Sequence, residues 1–113
     1  MDHYAIRRLE PDEAVARVFL AGEIDLSAKL PLAAALVAAV RALGVACVEV
    51  DLRDVQFIDC GALSAIIHAR QTATEHGVDL YLTHVHGGAA RVLKVLDLWE
   101  LTTASQPASH AHR

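Results

Sequence analysis

Two short runs of alternating apolar and polar residues near the start of the chain predict a β-hairpin. Residues 3–9 and 14–21 are both β-prone, and Glu10-Pro11-Asp12-Glu13 separates them. Proline presets φ and aspartate can bond its own following backbone, so this tetrapeptide has the chemistry of a turn. The second run passes into Gly22-Glu23-Ile24-Asp25, which we interpret as a loop that leads to a helix.

Further strands are predicted in the second half of the chain. Residues 45–52 are apolar at nearly every position, which is typical of a strand covered on both faces. In residues 78–83, large apolar residues alternate with more polar ones, which is the period of a strand. We expect a short last strand at residues 98–103.

Apolar residues at helical spacing predict three helices. The first begins between Ser27, a suitable N-cap, and Pro31, which must lie in the first turn, and it runs to about residue 43. The second covers residues 61–76 and ends at Gly77, and the third covers residues 89–96. The inner face of the first helix would carry Leu32, Leu36, Val40 and Leu43.

Alternation of strands and helices predicts an α/β fold. We expect a single layer of about four to five mixed strands, with about three to four helices packed mainly on one face. Residues 1–104 would form this one domain. Residues 105–113 have no apolar residue larger than alanine and are expected to be a disordered tail.

Composition supports a small globular domain and excludes several classes of function. The chain has 113 residues, of which 54% are hydrophobic, and a net charge of −4. Its Lys and Arg residues are scattered, which argues against nucleic-acid binding. The N-terminus does not resemble a signal peptide, and the longest apolar stretch, residues 30–40, is shorter than the roughly 20 residues that span a bilayer. We therefore expect a cytoplasmic protein without membrane insertion, and its two cysteines predict no disulfide framework.

Four segments, in order along the chain, resemble the signature of the STAS domain family. Gly22-Glu23-Ile24-Asp25 is similar to the family's GE(I/L)D, Val50-Asp51-Leu52 to its VDL, and residues 55–63 to the segment that ends in F(I/M)DSSGL. The close of the chain, with Gly77, Leu80, Arg91-Val92-Leu93 and Leu98, is similar to the family's GxxL and RVLxxxxL. The resemblance covers residues 4–103.

The resemblance is to the stand-alone bacterial members, which are anti-sigma-factor antagonists. It implies that the chain binds an anti-sigma factor and so frees a sigma factor for transcription. In many members, that same kinase-like anti-sigma factor phosphorylates a serine of the DSSG segment and switches the antagonist off. Aligning Asp59 and Leu63 with the motif puts Cys60 at the first serine, Gly61 at the phosphorylated serine and Ala62 at the glycine. The usual acceptor hydroxyl is therefore missing, and the resemblance implies that Asp25 lies near this segment.

Residues 59–64 also predict a binding site from their chemistry. A strand ends and a helix begins here, and partners bind at the carboxyl ends of strands in open α/β sheets. Asp59 either only caps the helix or caps it and contacts a partner. The small residues Cys60, Gly61 and Ala62 would allow another backbone to approach, with Leu63 and Ser64 following on the first turn. A bulky charge at position 62 or 64 should then abolish binding and leave the fold intact.

The remaining hydroxyls near this segment leave two interpretations open. Ser64 is either an ordinary serine on the helix surface or, like Ser27, a relocated phosphate acceptor.

An enzyme is the first competing interpretation. Cys60 at a helix N-terminus could be a nucleophile, but a phosphatase-like loop needs an arginine six residues later, where the chain has Ile66. Cys47 and Arg53 have that spacing, but a strand without glycine separates them. We therefore expect no enzymatic activity and interpret both cysteines as packing residues.

Histidines raise the possibility of a metal site. His84 and His86 flank a valine after the fourth strand, and His110 and His112 lie in the tail. No cysteine joins them, so we interpret them as solvated residues and expect no metal and no cofactor.

Within binding modules, an alternative is a STAS subunit of a larger assembly, such as a stressosome-like scaffold or a lipid-transporter accessory protein.

Overall fold

Four strands and three α-helices make up residues 3–103, the part of the chain that the structure, a computed structural model, describes. The strands are β1 (Tyr4–Arg8), β2 (Val15–Ile24), β3 (Cys47–Ile58) and β4 (Asp79–Thr83). The helices are α1 (Lys29–Arg41), α2 (Cys60–Glu75) and α3 (Gly87–Val95). Short 3₁₀ turns cover Leu26–Ala28 and Trp99–Thr102. The predicted tail, residues 105–113, lies outside the described residues.

The strands form one mixed sheet in the order β1-β2-β3-β4. β1 pairs antiparallel with β2, while β2–β3 and β3–β4 are parallel pairs. Each parallel pair is joined through a helix, α1 or α2, as a parallel connection requires. The predicted hairpin and the predicted α/β fold are thereby confirmed.

One face of the sheet carries the core. Alternate residues of the strands point toward the helices and are buried, and they form a single cluster with the inner sides of all three helices. The largest buried side chains are Leu20, Ile24, Leu32, Leu36, Leu52, Ile58, Leu63, Ile66, Leu80, Leu82 and Leu93. Burying a side chain of this size stabilises a fold by about 1.5–3 kcal/mol, so this face supplies the main stabilisation.

Polar side chains of the strands cover the opposite face. Glu49 accepts a hydrogen bond from the Tyr81 hydroxyl at 3.0 Å and forms an ion pair with Arg17 at 3.2 Å. Next to them, the Arg7 guanidinium lies over the Phe19 ring, 5.0 Å from its centroid. The expectation that residues 45–52 are covered by other elements on both faces is therefore wrong, because cross-strand polar contacts occupy the second face.

β2 and β3 extend further than the sequence indicated. Glu23 and Ile24, expected in a loop, belong to β2 because they pair with Phe57 and Ile58 of β3. The pairing continues across two register shifts, one next to Phe19 and one next to Gly22. Pairing between β2 and β3, rather than the β-propensity of their residues, therefore extends both strands to the edge of the sheet where α1 and α2 begin.

Two predicted elements near helix ends are wrong. Residues 98–103 contain a 3₁₀ turn, Trp99–Thr102, in place of a last strand. α1 ends at Arg41, and Leu43 is 98% exposed instead of lying on the inner face. Gly77, by contrast, follows α2 with a φ of +72°, the left-handed conformation expected of a glycine that ends a helix.

Candidate functional site

β2 and β3 end in the same dipeptide, isoleucine followed by aspartate, at neighbouring positions on the sheet edge. Ile24 and Ile58 are partners in the parallel pairing. The Asp59 backbone N–H donates a hydrogen bond to the Ile24 carbonyl at 3.1 Å. This pairing brings Asp25 and Asp59 to one edge, as the resemblance implied.

The carboxylate of Asp25 organises the turn that leads to α1. One of its oxygens accepts hydrogen bonds from the Ser27 hydroxyl at 2.6 Å and from the Ser27 N–H at 3.0 Å. The other contacts the His3 Nε2 at 2.5 Å. The hydrogen bonds from Ser27 and then from His3 lower the pKa of Asp25, so the group is a carboxylate at neutral pH. The cap at this turn is therefore Asp25 and not Ser27, which we had expected.

Asp59 caps the N-terminus of α2 with its carboxylate. Its carboxylate accepts a hydrogen bond at 2.8 Å from the backbone N–H of Ala62, one of the unpaired donors of the first helical turn. The predicted capping role is confirmed. Both carboxylates are thus engaged with backbone groups, and both oxygens of Asp25 have protein partners.

The segment that follows Asp59 divides into exposed and buried residues. Cys60 and Ser64 are exposed, whereas Ala62 and Leu63 belong to the core and have exposed fractions of 0% and 2%. Ser64 Oγ donates a hydrogen bond to the Gly61 carbonyl at 2.6 Å. The expectation that position 62 accepts a bulky charge without loss of the fold is therefore wrong, because α2 turns this side chain inward.

Gly61 lies against the preceding turn. A Cβ built on Gly61 would come 2.9 Å from Cδ1 of Leu26 and 3.5 Å from Oδ1 of Asp59. Cδ1 is the far end of the Leu26 side chain, which is 66% exposed and can therefore rotate away. The position can therefore take a small side chain.

Three exposed apolar side chains lie close in sequence to the two aspartates, and sequence reasoning missed them. Leu26 follows Asp25 directly, Phe57 precedes Asp59 by two residues, and Leu30 lies in the first turn of α1. Their exposed fractions are 66%, 48% and 78%. The signal available in the sequence was that Leu26 and Leu30 fall outside the i, i+4 series of Leu32, Leu36 and Val40. Phe57 precedes the buried Ile58 on β3 and therefore points to the opposite face of the sheet. We call Leu26 and Leu30, with Asp25 and residues 59–64, the edge site.

The two cysteines differ in their surroundings: Cys47 is partly buried, whereas Cys60 is exposed, so the interpretation of Cys60 as a packing residue is wrong. Cys47 and Arg53 lie on the same extended strand, and six residues of strand separate them by roughly 20 Å. Burial raises the pKa of the Cys47 thiol, which disfavours the nucleophilic thiolate. At Cys60, the position where a phosphatase-like loop would have its arginine holds the buried Ile66.

His84 and His86 have protein partners and are not merely solvated, as we had expected. His84 Nδ1 lies 3.2 Å from an oxygen of the buried Asp51, and its Nε2 lies 2.9 Å from the Arg53 guanidinium. His86 Nε2 lies 2.7 Å from the Arg53 carbonyl. Within residues 3–103, no three His, Cys, Asp or Glu side chains are arranged to hold a metal ion. His110 and His112 lie outside the described residues.

The chain belongs to the STAS domain family. Residues 8–103 match the family described as "Mlab, STAS domain". STAS domains are typically non-catalytic regulatory modules. A comparison with curated proteins returns no match. No helix in the described part of the chain is both long and apolar enough to cross a membrane.

Solved structures with the same fold include two anti-sigma factor antagonists. SpoIIAA of Bacillus in its phosphorylated form is 14% identical, with a TM-score of 0.69, over 88% of this chain and 89% of that one. The antagonist from Mycobacterium paratuberculosis is 23% identical, with a TM-score of 0.69, over 88% and 82%. The murine anion transporter Solute Carrier 26 family member A9 is 15% identical, with a TM-score of 0.66. This chain covers 14% of the transporter, and the match covers 76% of this chain. At these identities the similarity establishes the fold.

Proposed function

We propose that the protein is a protein-binding regulatory module that acts as an anti-sigma-factor antagonist. In this role it binds an anti-sigma factor through the edge site. The observation that carries the proposal is the exposure of Leu26, which lies against Gly61 of α2, and of Leu30, which lines a groove with Ser64. Exposed apolar side chains gathered at one place, with polar groups at the rim, are typical of an interaction surface.

The polar groups of the edge site favour binding over catalysis. The carboxylates of Asp25 and Asp59 accept hydrogen bonds from backbone N–H groups, which gives both a structural role in the turns that they cap. Cys60 is exposed beside them, but the hydrogen bonds of the described residues give it no histidine partner. The fold shared with two antagonists supports the proposed class of partner.

A capture experiment with a matched pair of variants tests the proposal. Leu26→Asp places a charge where apolar contact is expected, while Leu43→Asp makes the same change at a side chain that is 98% exposed and distant from the edge site in sequence. The unaltered chain and Leu43→Asp should capture an anti-sigma factor from the native cells. Leu26→Asp should bind that factor at least about tenfold more weakly by calorimetry, the equivalent of one buried apolar contact.

Two results would contradict the proposal. If the captured protein is not an anti-sigma factor, the proposed partner is wrong. If Leu26→Asp binds as tightly as Leu43→Asp, the edge site is not the binding surface.

A second candidate function is that of a STAS subunit within a larger assembly, such as a stressosome-like scaffold or a lipid-transporter accessory protein. The observation in its favour is that a domain of this fold forms a small part of a much longer anion transporter. Co-purification distinguishes the two functions, since a large homo-complex or a membrane ATPase would replace the anti-sigma factor.

We further propose that phosphorylation at the usual family position does not switch this protein. Gly61, at the position that the resemblance assigns to the phosphoserine, has no hydroxyl. The nearest hydroxyls, on Ser64 and Ser27, donate hydrogen bonds to the Gly61 carbonyl and the Asp25 carboxylate. Incubation with the captured partner and ATP should leave the intact mass of the protein unchanged. A stoichiometric gain of one phosphate would contradict this, and its position would show whether Ser64 or Ser27 has become the acceptor.

The converse variant, Gly61→Ser, is expected to gain one phosphate if the partner is a kinase. The structure accepts the new Cβ because only the mobile end of Leu26 must move. A phosphate there adds roughly −1.5 to −2 charges beside Asp59 and should expel the partner. Gly61→Ala is the matched control, since it adds the same Cβ without the hydroxyl. An unmodified Gly61→Ser variant would show that the partner is not a kinase for this site.

A further inference from the structure

α1 and α2 run side by side in the same direction. α1 follows β2 and α2 follows β3, and these strands are parallel neighbours, so both helices begin at the same edge of the sheet. Small side chains line the space between the helices, namely Ala33 on α1 with Ala65 and Ala69 on α2. A groove of about 400 Å³ results, and it lies open to solvent. We call it the α1–α2 groove.

The α1–α2 groove has the length of a short helical segment. Its lining runs over nine residues, and hence eight rises, of each helix, from Lys29 to Val37 and from Ser64 to Thr72. At a rise of about 1.5 Å per residue, this corresponds to a length of about 12 Å, or roughly two helical turns. The exposed Leu30 forms its wall at the end near the edge site. Leu30 and Ser64 belong to both the groove and the edge site, so the two surfaces are continuous.

The charge of the α1–α2 groove differs from that of the chain. The protein carries a net charge of −4, yet no acidic residue lines the groove, and its ionisable side chains are Lys29 and His68. Among the ion pairs of residues 3–103, none involves Lys29. The groove therefore presents an uncompensated positive charge beside an apolar floor.

We propose that the α1–α2 groove binds an amphipathic helix of the partner, with large apolar residues on one face and acidic residues at its flank. Such a helix places apolar side chains at positions i, i+3, i+4 and i+7 over the alanine floor. An acidic side chain on its flank meets Lys29, which supplies the charge complementarity. This inference rests on the proposed function. A partner that docks at the edge site would place the amphipathic helix in the adjoining α1–α2 groove.

A titration with a defined peptide tests the inference. The probe is a synthetic acidic amphipathic helix with leucines at positions i, i+3, i+4 and i+7 and glutamates at its flanks. It is added to ¹⁵N-labelled full-length protein up to about 1 mM. Amide shifts should be confined to residues 29–37 and 64–72. Leu30→Ser should weaken binding about 10-fold to 100-fold, because one buried leucine is lost.

Reversal of the charge at Lys29 tests the proposed charge complementarity. Lys29→Glu should weaken binding of the acidic peptide about threefold or more and strengthen binding of the same peptide with lysines in place of glutamates. The matched controls are Leu43→Ser and Arg91→Glu, which make the same changes at exposed positions outside the groove, and both should bind like the unaltered chain.

Two results would overturn the inference. One is the absence of binding at the highest peptide concentration, and the other is binding that Leu30→Ser leaves unchanged. The peptide is not an anti-sigma factor, so its binding and the capture experiment fail independently. A captured anti-sigma factor whose affinity is the same for Lys29→Glu, a change in the groove but outside the edge site, would refute the groove alone. A groove that binds the peptide, in a protein that captures no anti-sigma factor, would refute the proposed function alone.

Discussion

Replacement of Ala62 with arginine is expected to destabilise the protein strongly, whereas the same residue at position 64 should leave its stability nearly unchanged. The Ala62 side chain is fully buried in the core, two residues from the exposed Ser64. An unpaired charge forced into an apolar interior costs several kcal/mol, about 4 kcal/mol here. That is a large part of the roughly 5–15 kcal/mol by which domains are stable.

Ser64→Arg is the control that separates folding from binding. The Ser64 hydroxyl makes one exposed hydrogen bond, to the Gly61 carbonyl, whose loss costs about 1 kcal/mol. Thermal unfolding followed by circular dichroism should show a cooperative transition for Ser64→Arg. Ala62→Arg should show no transition near that temperature. Partner binding should nevertheless be lost in Ser64→Arg, because the new side chain covers the edge site. An Ala62→Arg variant as stable as the unaltered chain would show that α2 does not hold this position inward.

Substitution of Gly22 with alanine is expected to destabilise the protein by about 3 kcal/mol or more, because strain and collision add at this position. Gly22 has a φ of +84°, a left-handed conformation that disfavours a side chain. An added Cβ would also lie 2.3 Å from the backbone oxygen of His3. Backbone cannot yield as a flexible side chain can, so β1 would have to separate from β2 next to Asp25.

Gly44→Ala separates the contribution of backbone strain from that of the collision with His3. Gly44 has nearly the same φ, +80°, but a Cβ there would meet no atom within 4 Å. Its substitution should cost only the conformational strain, about 1–2 kcal/mol. Urea unfolding of both variants gives the difference directly. Equal losses would mean that the contact with His3 is not constraining, and Gly22 would then be explained by φ alone.

The sequence predicted those features of the fold that depend on local chemistry. The alternation in residues 78–83 and the glycine after α2 are encoded by neighbouring residues, and the structure confirms both. The hairpin turn lies later than the chemistry of Pro11 and Asp12 predicted, because Asp12 and Val15 bond each other's backbone and Glu13 and Ala14 between them have φ of +53° and +68°. The length of β3 is not encoded in this way. Residues 53–58 are strand because β2 lies beside them, and that pairing is a tertiary contact. The 3₁₀ turn at Trp99–Thr102 likewise replaces a strand whose residue types favoured pairing.

In the edge site, too, features that depend on neighbouring residues could be predicted, and features that depend on tertiary contacts could not. Asp59 could be predicted as a cap because the rule relates it to an N–H three residues away. Burial of Ala62 and Leu63 depends on the rotation of α2 about its axis, which packing against the sheet determines. Exposure of Leu30 and the α1–α2 groove depend on the spacing of two helices, so a single helical pattern could not reveal them.

The order of strands in the sheet, which is also their order in the chain, bears on how the molecule opens. Each strand pairs with the one that precedes it in sequence, so β4 is the last addition and lies at an edge. Fluctuations that detach β4, together with the turn at Trp99–Thr102 beside it, break no hydrogen bond between β2 and β3. Partial opening of a protein usually begins at such edges. The caps at Asp25 and Asp59 therefore belong to the half of the molecule that outlasts these openings. In native-state hydrogen exchange, the amides at the ends of β2 and β3 should be protected longer than those of β4.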